Sequence, residues 1–91
     1  SVKNVQVDKL KMVTYPNPVQ EQLNIDFILS TNESVVIDVM NVNGQVIQTK
    51  LVSASSGKNT HSVNTSKLST GMYYVTIRSN SGTFTKAIVK N

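Results

Sequence analysis

One histidine, His61, and five carboxylates, Asp8, Glu21, Asp26, Glu33 and Asp38, are the side chains of this sequence that are candidates for acid–base or metal-binding chemistry. A nucleophilic triad needs an acid that orients the histidine. His61 is followed by Ser62, but no acid flanks it, and it reads as a structural or solvent-facing residue. The chain has no cysteine, which excludes a thiolate zinc site, a cysteine nucleophile and a disulfide framework. A single histidine cannot make a histidine-rich metal site. Asp26 and Asp38 both occupy polar positions of strand-like runs and could be neighbours on adjacent strands, the arrangement for general acid–base work or calcium ligation. Calcium, however, takes about six to eight oxygens, usually from a loop dense in Asp, Asn and Gly, and no such loop occurs. Both read as sheet carboxylates facing lysines. No catalytic, cofactor-binding or metal-binding residue is expected.

The remaining chemistry is positive charge. Nine Lys and Arg against five Asp and Glu give a formal net charge of +4, a balance that raises nucleic acid, anionic lipid or acidic polysaccharide as partners. The cations are scattered, at Lys3, Lys9, Lys11, Lys50, Lys58, Lys67, Arg78, Lys86 and Lys90, and no two are adjacent. Nucleic-acid readers cluster arginine with stacking aromatics, whereas this chain has one arginine, so a solvated lysine surface is the better reading. No apolar run approaches the ~20 residues of a membrane-spanning helix. At 91 residues the chain is one domain with a modest core. Because it opens on Ser1, it is expected to be a piece of a longer protein.

The elements that would carry these side chains are strands. Leu23, Ile25 and Phe27 alternate with Asn24 and Asp26; Val35, Ile37 and Val39 alternate with Val36, Asp38 and Met40; Tyr73, Val75 and Ile77 alternate with Tyr74, Thr76 and Arg78. A period of two places each set on one face of a pleated strand, and the β-branched content agrees. No window carries a helical stripe. Pro16-Asn17-Pro18 interrupts any ladder, since proline has no N–H. Asn43-Gly44 predicts a type I′ hairpin, Asn80-Ser81-Gly82 a second hairpin, and 53–59 a Ser/Gly-rich loop or poorly paired edge. Strands are expected at 10–15, 22–29, 35–42, 45–52, 59–64, 72–79 and 83–90, with 1–11 a linker or N-terminal extension. Seven short strands at this spacing predict an all-β, immunoglobulin-like antiparallel sandwich. In the last strand Ala87 and Val89 are expected to be buried and the lysines solvated.

Leu68-Ser69-Thr70-Gly71-Met72-Tyr73 has the form of a tyrosine corner, in which a phenol opening a strand bonds back to upstream backbone. With it, an ordered set of motifs is complete: Tyr15-Pro16-Asn17-Pro18, Leu23-Asn24-Ile25, the Gly44 hairpin, Leu68-x-x-Gly71-x-Tyr73, and Lys86-Ala87-Ile88-Val89-Lys90. This set resembles the type A C-terminal sorting domain of the type IX secretion system of Bacteroidetes over roughly residues 12–90, which implies a sorting domain at 12–91. The resemblance implies a non-catalytic signal module that sends a cargo region N-terminal to it through the periplasm to the cell surface or medium. It implies as partners an outer-membrane translocon, shuttle proteins and a sortase-type cysteine protease that usually removes the domain. It does not imply nucleic acid, a cofactor or a membrane span. Matching positions are Tyr15, Pro16, Asn17, Pro18, Gly44, Gly71, Tyr73, Lys86 and Val89. The Tyr15–Pro18 motif is expected to mark the boundary between linker and domain. A fibronectin-III-like or carbohydrate-binding sandwich, acting as spacer or adhesion module, is the alternative. The chain lacks the tryptophans that commonly stack on sugars.

Overall fold

The computed structural model describes residues 12–80 and 82–91. Seven strands follow in order: β1 Met12–Tyr15, β2 Gln22–Leu29, β3 Glu33–Asn41, β4 Val46–Ala54, β5 Gly57–Asn64, β6 Gly71–Ser79 and β7 Gly82–Lys90. They form two antiparallel sheets with strand orders β1-β2-β5 and β4-β3-β6-β7. Pairing of β2 with β5 and of β3 with β6 interleaves the sheets in sequence, as an immunoglobulin-like sandwich requires. Residues 10 and 11 of the expected first strand, and the 1–11 extension as a whole, lie outside the described residues.

Alternation explains the core. Leu23, Ile25 and Phe27 from β2, Val35, Ile37 and Val39 from β3, and Tyr73, Val75 and Ile77 from β6 are all buried, with Val19, Leu29, Val63 and Ile88 among the residues joining them. These strands are the central ones of their sheets, where neighbours on both sides leave one face to fill the interior and the other to meet water.

Three expectations are corrected. The 53–59 stretch is strand at both ends, with only Ser55 and Ser56 between β4 and β5; Asn59 holds this corner through its side chain, accepting from Ser55 N and donating to Ser55 O. The Asn43-Gly44 turn is not a two-residue type I′ loop. Gly44 N donates to Asn41 O and Asn41 N to Gln45 O, a three-residue loop with Gly44 at φ +83° in its left-handed position, a known alternative solution for hairpins. In β7 the expected faces are reversed: Ile88 and Lys90 are buried while Val89 is 43% exposed. Register decides this. Ile88 lies opposite Tyr73 and Val89 opposite exposed Met72, so β7 takes the facing that β6 imposes.

Candidate functional site

The registers gather the motif residues at one end of the sandwich. Tyr73, near the start of β6, pairs with Asn41, closing β3; Gly71, opening β6, pairs with Lys90, closing β7; and Gln22, opening β2, pairs with Asn64, closing β5. Segments 16–21, 42–45 and 65–70 and residue Asn91 therefore share this end. Segments 30–32 and 55–56 and the β6–β7 turn occupy the other, where Ser56 N donates to Asn32 Oδ1 and Asn80 N to Glu33 Oε1. Residue 12 enters toward that second end, since β1 runs from Met12 opposite Phe27 to Tyr15 opposite Asn24.

Tyr15-Pro16-Asn17-Pro18 is thus not the boundary between linker and domain. It follows β1 and carries the chain across the sandwich, from the edge of the three-stranded sheet to the edge of the four-stranded one. Both X–Pro bonds are cis. Directly after Pro18, Val19 forms a parallel bridge with Lys90: Val19 N donates to Val89 O at 2.7 Å, and Asn91 N to Val19 O at 2.8 Å. The first and last motifs are one backbone seam. Val19 is fully buried. Thr65, equally buried, ties the adjoining turn down by donating from its amide to Glu21 O and from its hydroxyl to Gln20 O. Neither Val19 nor Thr65 was singled out by sequence, although a lone valine between Pro18 and a polar run was the available signal.

The other positions sort by what they touch. Tyr73 is a tyrosine corner: its buried phenol donates to Ser69 O at 2.8 Å. Gly71 has φ +150° opposite Lys90, a conformation side chains disfavour. Pro16, Asn17, Pro18 and Gly44 are exposed on the shared end. Lys86 is not brought to it. It is exposed and pairs with Val75 in mid-strand, ~13 Å up β7 from Lys90 at strand spacing. An open polar cleft of about 370 Å³ on the shared end is lined by Glu21, Gln22, Ser62, Asn64 and Ser66. It holds one carboxylate and no base beside a nucleophile.

Asp26 and Asp38 are not neighbours, because β2 and β3 belong to different sheets. Alternation assigns a residue to a face but not to a sheet. Asp26 accepts from Tyr15 Oη at 3.0 Å and Thr60 Oγ1 at 2.9 Å, with Lys58 Nζ at 3.8 Å. That hydrogen bond to the carboxylate pushes the Tyr15 phenol above its usual pKa, with desolvation and the Asp26 charge adding to it. Asp38, only 5% exposed, pairs with Arg78 at 3.0 Å and accepts from Thr49 Oγ1 at 2.9 Å. Both carboxylates are used up by cross-strand partners. Among the described residues, no group of three or more His, Cys, Asp or Glu is placed to hold a metal.

His61 stacks on Phe27 with ring centroids 5.7 Å apart, beside the seam where Lys50 of β4 donates to Ser62 O of β5. Partial burial, and then the Lys50 charge, lower its pKa. A depressed histidine pKa means that the unfolded chain binds the extra proton more readily, so stability is full above the unfolded value of about 6.5 and falls as pH drops through the folded one. The midpoint of thermal unfolding is expected to be lower at about pH 5 than at about pH 7.5, and His61→Gln should shrink the difference. An unchanged difference in that variant would mean that His61 does not set the pH dependence.

Over residues 13–91 the chain matches the family described as Secretion system C-terminal sorting domain. Among solved structures, dimeric latent PorU from Porphyromonas gingivalis shares the fold, with a TM-score of 0.68 and 17% identity over 89% of this chain. The match takes up 9% of that protein, so the chain spans less than a tenth of its length. A β-glucosidase from Listeria innocua, solved in complex with glucose, gives a TM-score of 0.48 at 11% identity, over 90% of this chain and 16% of that one. No curated protein matches the chain.

Proposed function

The chain belongs to the secretion system C-terminal sorting domain family, and from that premise we propose that it is a folded export signal read mainly at one end of the sandwich. Its cargo lies N-terminal to β1, and the recognised surface is built from Tyr15, Pro16, Asn17 and Pro18, the Gly44 hairpin, and the Gly71–Tyr73 corner, with Val89 beside them and Lys86 further along β7. The reader is the outer-membrane translocon of the type IX system with its shuttle proteins. A sortase-type cysteine protease then cuts upstream of β1, and the cargo is anchored or released. The domain itself performs no catalysis.

One observation carries this reading: the bridge between Val19 and Lys90 joins the first and last motifs, which lie some seventy residues apart in sequence, into a single backbone seam. A spacer domain needs a sandwich but has no need for these motifs to meet. The arrangement also suits two separate jobs, because β1 enters from the end opposite the motif-bearing one. The test is a periplasmic reporter fused ahead of residue 1 in a type IX-competent host, assayed for reporter outside the cell. Retention of the wild-type fusion inside the cell would leave the chain a spacer of the same fold.

Within this scheme the exposed Lys86 is a contact residue with no structural duty. Lys86→Ala is expected to change stability by no more than about 0.5 kcal/mol and to lower export of the fusion. Chemical denaturation of the isolated chain checks the first part and reporter secretion the second. Normal folding with normal export would make Lys86 plain surface.

A further inference from the structure

Among the described residues, β7 is an edge strand with β6 as its full-length neighbour, and β1 of the other sheet comes near it. In an antiparallel ladder, alternate residues turn their backbone N–H and C=O toward the partner strand and the rest turn them the other way. Val89 is of the second kind, since its carbonyl accepts from Val19 on the side away from β6. The period of two then points the backbone groups of Thr83, Thr85 and Ala87 to the same open side. Val19 satisfies this side only at the strand's end, through Val89 O and Asn91 N. Among the described residues, no backbone bond reaches Thr85 or Ala87 from it. The segment that seats Val19 cannot continue along the edge, because Pro16 and Pro18 lack N–H groups and Tyr15 is already paired with Asn24 in the other sheet. Among the described residues, the proline motif closes one end of the β7 edge and leaves Thr85 and Ala87 without a backbone partner on that side.

Open edges are normally blocked, because they pair with whatever strand arrives. Here the block is selective. Lys86, exposed between Thr85 and Ala87, would face its own counterpart if a second copy lay antiparallel and centred on it, and directly opposed like charges destabilise a pairing. A strand with a carboxylate at that position would be favoured instead. Thr83, Thr85 and Ala87, on the outward face, add no charge and no bulk.

We propose that the free edge of β7 over Thr83–Ala87 takes up an extended segment of a partner protein by strand addition, with Lys86 selecting an Asp or Glu opposite it. The partner rests on the sorting reading, as a component of the export machinery; the edge itself does not. The occupant is a partner strand rather than a second copy because Lys86 disfavours the copy. Its strand adds to β7 up to the point where Val19 already occupies the edge.

The probe is a synthetic eight-residue peptide of alternating threonine and valine with one central glutamate, and its twin with lysine in that place. Each is titrated into the isotope-labelled 91-residue chain and followed by amide resonances and hydrogen exchange. The glutamate peptide is expected to shift Thr83–Val89, to slow exchange at the Thr85 and Ala87 amides, and to bind about fivefold to tenfold more tightly than the lysine twin. Lys86→Glu should invert that preference. Ala87→Pro removes an edge-facing N–H but no bond to β6, a substitution edge strands accept, and should abolish peptide binding with the rest of the spectrum unchanged. Shifts centred on another strand, equal affinity for the two peptides, or no inversion in Lys86→Glu would overturn the proposal, and these readouts stand even if Ala87→Pro does not fold. In the reporter fusion, a folded Ala87→Pro chain should be retained. Its export at the wild-type level overturns strand addition and leaves the sorting reading standing, whereas failure of the wild-type fusion overturns the sorting reading whatever the peptides do.

Discussion

Ile37→Ala is expected to cut export by destabilising a domain whose proposed signal exists only in the folded state. Ile37 is 1% exposed at the centre of β3, opposite Ile77 on one side and Lys50 on the other. Truncating such a side chain removes its transfer free energy and leaves a cavity, at a cost of about 2–5 kcal/mol. Folded chains of this size hold roughly 5–12 kcal/mol in total, so the variant loses a large part of its stability, and its melting midpoint should fall by about 10–30 °C. The motif residues are not touched. They lose their arrangement because β3 sets the register of both the Gly44 hairpin and the Asn41–Tyr73 pair. Ile37→Val, costing about 0.5–1.5 kcal/mol, should fold and export. Circular dichroism of the isolated chain and secretion of the fused reporter give the two readouts. Normal secretion of an Ile37→Ala chain shown to be unfolded would mean that the signal is read as a linear segment, and the end-surface reading would fall.

The sequence carried the faces of the central strands and little about how they meet. β2, β3 and β6 were legible because a strand with neighbours on both sides buries one face completely, and a period of two records that burial. The sequence leaves Gly57 and Lys58 out of β5 because a glycine directly after Ser55 and Ser56 reads as loop, whereas both belong to the strand. β7 was assigned the wrong face because the strip from Lys86 to Lys90 offers two alternations of similar quality, and only the pairing of Ile88 with Tyr73 chooses between them. The same limit misplaced Asp26 beside Asp38. As for the site, the tyrosine corner is local, spanning Ser69 to Tyr73, and could be read directly. The seam of Val19 with Val89 and Asn91 is a contact between distant parts of the chain through backbone atoms, which no side-chain pattern encodes. The proline motif could therefore be recognised as a ladder breaker but not as the device that moves the chain from one sheet to the other.

Pro16→Ala combined with Pro18→Ala is expected to leave the sandwich folded, to destabilise it by about 2–4 kcal/mol, and to cut export sharply. Two contributions set the figure. Each proline restricts the unfolded chain, and replacing it by alanine costs roughly 0.4–1 kcal/mol through that state alone. In the folded state Val19 is seated by two backbone bonds that depend on where the preceding residues deliver it, and partial loss of a buried valine costs a fraction of the ~1.5–3 kcal/mol that full exposure would. The core of β2, β3 and β6 does not involve these residues, so the cooperative transition should persist at a lower midpoint. Removing Lys90 and Asn91 attacks the same seam from the other side, since it deletes the donor to Val19 O and the strand end against which Val19 lies. If the seam is one unit, the two changes together should cost less than the sum of their separate effects, as for residues that share an interaction. Denaturation of the wild type, the two variants and their combination measures this coupling, and reporter secretion from the same four chains measures its consequence. Additive costs would place the two motifs in separate roles. Full secretion from a double-proline variant whose Val19 amide exchanges freely would leave Tyr15-Pro16-Asn17-Pro18 as a strand crossing that the export machinery does not read.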